Sequence, residues 1–128
     1  MRRIALILLA LAAACSSDSA RSDTPKPGTL AINLVAGGSN DGAMLLVVSG
    51  GPVTSVASPA GYDVATNADS AGTHVMVVGA LTPGVLATID VPDTRQLAAY
   101  VVTVEQVADR TTFGLLDPAA YQVTVTTR

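Results

Sequence analysis

Side chains able to do chemistry are few in this sequence, and they are scattered. His74 is the single histidine, which excludes metal centres built on paired imidazoles. Ser49, His74 and Asp90 are the residue types of a nucleophilic triad, yet no Gly-x-Ser-x-Gly elbow is present to hold the serine. The expectation for His74 is therefore a strand-start histidine with a local hydrogen bond. Glu105 is the single glutamate, beside nine aspartates. A glycosidase needs two carboxyls about 5–9.5 Å apart across a sugar cleft. Such clefts carry aromatic platforms, and beyond residue 28 the aromatic residues are Tyr62, Tyr100, Phe113 and Tyr121, with no Trp. Tyr100 and Tyr121 sit in strand patterns and are expected in the core. Hard oxygen ligands for calcium occur in Ser39-Asn40-Asp41-Gly42, and Asp90 and Asp93 bracket a second turn. Asn40, Asp41, Asp90 and Asp93 are thus weak calcium candidates. The EF-hand spacing is missing, and Asn-Asp-Gly is ordinary turn chemistry, because these residues tolerate positive φ. The expectation is a turn, with no metal and no cofactor. Gly37-Gly38 and Gly50-Gly51 link strands and do not open a phosphate-binding helix.

The remaining reactive group is Cys15, the only cysteine. It follows Arg2-Arg3, an unbroken apolar run from Ile4 to Ala14, and small residues just before it. Charged, apolar and small residues in that order are those of a secretory signal. Eleven apolar residues rise about 16 Å as a helix, short of the roughly 30 Å bilayer core. A lone thiol in an exported chain needs its own explanation. The ending Leu11-Ala12-Ala13-Ala14-Cys15 resembles a bacterial lipobox, with Ala12 in the place that usually holds Leu. The resemblance implies cleavage after Ala14, fatty acylation of the Cys15 thiol and a membrane anchor through it. Ser16 after the cysteine resembles the default sorting pattern to the outer membrane.

Residues 1–14 are expected to be cleaved, and residues 15–27 to form a lipidated disordered tether. Ser16 to Pro27 is small, polar and proline-containing, and it cannot bury enough apolar area to offset chain entropy. Twelve such residues reach at most about 40 Å. The chain carries seven Lys+Arg and ten Asp+Glu. Without Arg2 and Arg3 the balance is five against ten, or −5. Beyond Gly28 the only basic residues are Arg95, Arg110 and Arg128, so no basic stripe exists for nucleic acid and no polybasic patch for anionic lipid.

Residues 28–128 must position whatever function there is. They are rich in Val and Thr and punctuated by Gly and Pro, which are strand-favouring choices. Period-two alternation runs through Leu30-Ala-Ile32-Asn-Leu34 and Tyr121-Gln-Val123-Thr-Val125. Ala43 to Val48 and His74 to Val78 read as central strands covered on both faces. Asp93 to Gln96 could start a helix, whereas the β-branched block Val101 to Val104 predicts a strand over Ala99 to Val107. Along it, Tyr100, Val102, Val104 and Gln106 should face one way and Val101, Thr103, Glu105 and Val107 the other, with Val102 and Val104 most buried. Thr111 to Ala120 is expected to be a loop with one helical turn. Short strands at about ten-residue spacing predict an all-β, antiparallel Greek-key β-sandwich of about 7–9 strands.

The runs Gly84 to Asp93, Tyr100 to Asp109 and Tyr121 to Val125 resemble the C-terminal half of cohesin-like β-sandwich modules. Asp117-Pro-Ala-Ala-Tyr121-Gln-Val123 resembles the tyrosine corner of immunoglobulin-like domains, with Val123 in place of the cysteine. Both resemblances imply a sandwich, and neither names a partner. The function expected is non-catalytic: a binding or structural domain at the cell envelope, with an envelope protein or a glycan as partner. An exposed aromatic row would favour a glycan. An exposed apolar patch or an open strand edge would favour protein.

Overall fold

Alternation and β-branching produce nine strands in a computed structural model, which describes residues 24–128. The expected signal peptide, Cys15 and most of the tether lie outside the described residues. The strands are β1 (Gly28–Ala36), β2 (Asp41–Ser49), β3 (Ser55–Ala57), β4 (Asp63–Asp69), β5 (Gly72–Leu81), β6 (Gly84–Val91), β7 (Val101–Asp109), β8 (Leu115–Leu116) and β9 (Gln122–Thr127). They pair antiparallel in two sheets, ordered β3-β6-β1-β9 and β4-β5-β2-β7-β8. Sheet neighbours are mostly non-consecutive and the chain crosses repeatedly between sheets, so the domain is a Greek-key sandwich.

The core forms where the two inner faces meet. Leu30, Ile32 and Leu34 of β1 and Leu86 and Ile89 of β6 are buried with Met44, Leu46 and Val48 of β2 and Val75 and Val77 of β5. Each such aliphatic side chain contributes about 1.5–3 kcal/mol on burial. Tyr100 lies in this core, and its hydroxyl donates to the Pro52 carbonyl at 2.7 Å.

The segment after Asp93 resolves into both structures its sequence permits. Thr94–Ala99 is a 3-10 helix, and the Asp93 side chain caps it by accepting from the Arg95 N–H. The strand follows from Val101. The Thr111 to Ala120 loop contains the short strand β8 and one 3-10 turn, Pro118–Ala120. Near the start of the described residues, Lys26 is tied to the domain: its N–H donates to Asp93 and its carbonyl accepts from the Thr94 N–H.

Two expectations about faces need correction. Val107 was expected opposite to Val102 and Val104, but it is 1% exposed while those two are only half-buried. The cause is a β-bulge: Gln106 pairs with Leu45 and Val104 with Leu46, leaving Glu105 as an extra residue. One extra residue inverts the alternation beyond it. The central runs in β2 and β5 are also covered on one face only. Leu45 and Met76 are half-buried on the outer face, and Val78 is 42% exposed there. These outward apolar residues shield one another sideways across the sheet and have no layer above them among the described residues.

Candidate functional site

The outer face of the five-stranded sheet has an apolar end and a polar end. Cross-strand register sets Val78 beside Ala43, Ala43 beside Ala108 and Ala108 beside Leu115. Leu115 is 72% exposed, and Phe113, in the turn before it, is 81% exposed. Val78, Ala43, Ala108 and Phe113, with Gly42, Gly79 and Ala80, line a groove of about 300 Å³ rimmed by Asp109 and Arg110, and Leu115 lies next to Ala108 outside it.

Phe113 is held there by backbone geometry. It is the only non-glycine residue with positive φ among the described residues, at 60°. An L-residue in this region costs roughly 1–2 kcal/mol, so the turn must be over-determined. Asp109 supplies the determination: its carboxylate accepts from the Thr111 and Thr112 N–H groups, each at 2.8 Å, and from the Asn40 amide at 3.1 Å. The Asp109 carbonyl accepts from the Phe113 N–H, and its N–H donates to the Gly114 carbonyl. The backbone N–H groups of Thr112 and Thr111, then the Asn40 amide, hold its carboxyl below the usual carboxylate range. The phenyl ring is therefore displayed on a pre-organised turn, which lowers the entropy lost when a partner covers it.

The polar end is His74. Its Nε2 lies 2.8 Å from Asp69 Oδ2, and its Nδ1 lies 3.7 Å from Glu105 Oε2. Asp69 is held below its ordinary value, first by the Ala71 N–H and then by His74. The strand-start histidine with a local hydrogen bond is thus what forms. Ser49 donates weakly to the Val101 carbonyl, and Asp90 lies in the other sheet, so the triad residue types are not brought together.

The four calcium candidates fall in two places, Asn40 and Asp41 at the start of β2 and Asp90 and Asp93 around the end of β6, and each is engaged in hydrogen bonds within the protein. Asp90 accepts from Thr29 at 2.7 Å and from Ser55 at 2.5 Å, and these hydroxyls, Ser55 first, hold its carboxyl below the usual range. Asp93 is held still lower, first by the Arg95 guanidinium and then by the Lys26 N–H. Asn40 serves Asp109. Asp41 is 2% exposed, accepts from the Gly38 N–H at 2.7 Å and takes the Tyr121 hydroxyl at 2.5 Å. Among the described residues no three His, Cys, Asp or Glu side chains gather as a metal site.

The Asp41–Tyr121 bond joins the starts of β2 and β9, one in each sheet. In a tyrosine corner the hydroxyl returns to backbone a few residues upstream. Here it spans 80 residues of sequence. Gly38 makes room for the bond: a Cβ there would lie 2.7 Å from Asp41 Oδ1 and 2.9 Å from the Tyr121 hydroxyl.

Phe113 is the functional candidate that reading the sequence missed. The signal was a lone phenylalanine inside Thr111-Thr-Phe-Gly-Leu-Leu116, an apolar cluster in a segment read as loop. Phe113 is also the only exposed aromatic residue of the domain; Tyr100 is buried, and Tyr62 and Tyr121 are half-buried. Compared with protein-family models, curated proteins and solved structures, the chain matches none.

Proposed function

We propose that this chain is an exported lipoprotein, acylated on Cys15 and held at the outer membrane, whose β-sandwich is a non-catalytic module binding an apolar segment of an envelope protein. The observation that carries the binding reading is the rigid display of Phe113 beside an apolar groove. Its placement supports the reading. The chain enters the domain at Lys26, next to Asp93 and Thr94, and β1 then runs nine residues to Ala36. That is about 30 Å of strand. Asp41 and Asp109, which pair at the start of β2, lie at that far pole with the Phe113 turn. A tether rising from the membrane would thus present the groove outward.

The anchor is tested by labelling cells with a radioactive fatty acid. Label on the wild-type protein that is lost in Cys15→Ala is the expected result, and an unlabelled wild-type protein overturns the lipoprotein reading. The binding reading is tested by a photo-crosslinking residue placed at Leu115 in intact envelopes. A discrete protein adduct that disappears with Phe113→Ser supports it. Adducts unchanged by Phe113→Ser, or adducts to lipid, overturn it.

The second reading, a carbohydrate-binding accessory module, rests on a different groove. Asn33, Tyr62, Thr82, Thr126 and Arg128 face about 510 Å³ on the four-stranded sheet. Saturable heat of binding with soluble peptidoglycan fragments, lost in Tyr62→Ala, would favour it over the protein reading.

A further inference from the structure

We infer that the open flank between β7 and β9 is a strand-accepting site for an extended, uncharged peptide segment of a partner protein. This does not rest on the Phe113 reading, since the flank is a different surface with different recognition chemistry.

The flank is a window in the side of the sandwich. β9 ends the four-stranded sheet, with β1 as its sole strand partner among the described residues. Facing it, β7 has β8 as a neighbour only at Val107 and Ala108, so the edge from Val101 to Glu105 is left open. The chain cannot continue the β8 ladder downward, because Pro118 lacks an N–H and the 3-10 turn carries it across to the other sheet. Below, the Thr94–Ala99 helix packs against β1 and β9. Between the two edges lies a cleft of about 310 Å³, lined by Val102, Val104, Pro118, Tyr121 and Val123 together with the polar Thr103 and Gln122.

The hydrogen-bonding groups of the window can be assigned. The Arg128 N–H donates to the Thr29 carbonyl, so these two residues form a hydrogen-bonded antiparallel pair. Alternation along an unbroken register makes Thr126 with Ala31 and Thr124 with Asn33 the next such pairs. The backbone N–H and C=O groups of Val123, Val125 and Thr127 therefore point to the free edge. Each would pair with an added strand, and the side chains of Val123 and Val125 lie on the inner face beside the cleft.

Natural edges are defended by charge, proline or brevity. The opposite flank of this domain has all three: β3 is three residues long and follows Pro52, and β4 carries Asp63 and Asp69. The window is defended less: Val101 to Val104 and Gln122 to Thr127 contain no charged residue and no proline, and its guards are Glu105 at the end of the open β7 edge and Pro118 in the cleft wall. An occupant must bring uncharged side chains to the cleft, with an apolar residue at every second position. A second copy of the chain is a poorer occupant. Two six-residue edges, each fixed in a folded sandwich, would cover about 20 Å by 10 Å each, roughly 400 Å² in total, against the ~1,200 Å² of stable interfaces, whereas a free extended segment can pair with β9 and also fill the cleft beside β7.

The experiment uses the full chain in detergent and a capped, fluorescent peptide of alternating valine and threonine flanked by lysines. Saturable anisotropy is expected, with amide exchange at Val123, Val125 and Thr127 slowed on binding and exchange along β4 unchanged. Thr127→Pro removes one free-edge donor without touching the β1 ladder, and it should weaken binding at least about fivefold. Absence of binding, protection confined to other strands, or full affinity in Thr127→Pro would overturn the proposal. Protection of the same three amides without peptide, in a species that sediments as a dimer, would overturn it in favour of self-pairing. If Thr127→Pro unfolds, the amide pattern of the wild-type protein decides alone.

Discussion

The two flanks of the sandwich are closed by opposite means. On the β3–β4 side the sheets end in a clipped strand and in a strand bearing Asp63 and Asp69, so pairing with another chain is discouraged. On the β7–β9 side the exposed edges are Val-Val-Thr-Val and Gln-Val-Thr-Val-Thr-Thr, with half-buried valines behind them. The contrast is one of edge chemistry. One flank ends in a three-residue strand and a strand with a charge at each end, and the other exposes uncharged stretches of edge beside half-buried valines, with Glu105 closing the β7 stretch.

The sharpest way to break this comparison is to charge the seam. Val104→Asp would place an unpaired carboxylate among Val102, Tyr121 and Val123, and it should cost about 2–4 kcal/mol. Thr103→Asp, on the exposed outer face of the same strand, should cost about 0.5 kcal/mol or less. Urea unfolding of both variants checks the difference. Equal losses would mean that the seam is not an apolar interior.

The upper corner of the open flank is held by the Asp41–Tyr121 bond. Tyr121→Phe leaves a buried carboxylate short of a donor and should cost about 1–3 kcal/mol. A double-mutant cycle with Asp41→Asn measures the coupling. The bond also predicts a pH dependence. Burial first, and then the hydrogen bond to Asp41, push the Tyr121 phenol up to about 12. A raised acid keeps its proton in the folded state after the unfolded chain has lost it. This contribution is therefore complete below about pH 10 and is lost as pH rises toward 12. Tyr121→Phe should flatten that part of the alkaline stability profile.

Acid should act more gently and on other parts of the fold. Asp69, Asp90, Asp93 and Asp109 are all held below their ordinary values, so their stabilisation is present above about pH 4 and fades as pH falls further. Asp93→Asn should remove part of this fading, read from melting temperatures between neutral and strongly acidic buffer. The smallest effect on stability belongs to the defended flank. Asp63→Thr should change unfolding free energy by less than about 0.5 kcal/mol. It should nevertheless increase concentration-dependent association measured by sedimentation, since one of the edge charges of β4 is gone. No change in association would mean that Asp63 does not guard that edge.

Local patterns in the sequence carried much of the strand framework. The alternation in Leu30 to Leu34 and Val123 to Val125 appears in β1 and β9, and Asp93 caps a helix as an Asp before a polar turn should. These features depend on neighbours within a few residues, where propensity and periodicity act. The inversion of Val107 was not legible, because a bulge arises only when one strand is laid against another of different local length. Asp41 read as turn chemistry because its decisive partner is Tyr121, 80 residues away.

The sequence by itself determined a strand-built domain, the scarcity of catalytic side chains, the acidic balance and a single cysteine placed after an apolar run. Those follow from residue type and short-range order. Tertiary structure alone decided that Phe113 stands exposed beside a groove, that His74 sits between Asp69 and Glu105, and that one flank is open while the other is guarded. Each of these depends on which strands become neighbours. Pairing partners are chosen by burial of the whole core, and no local stretch of the chain contains that choice.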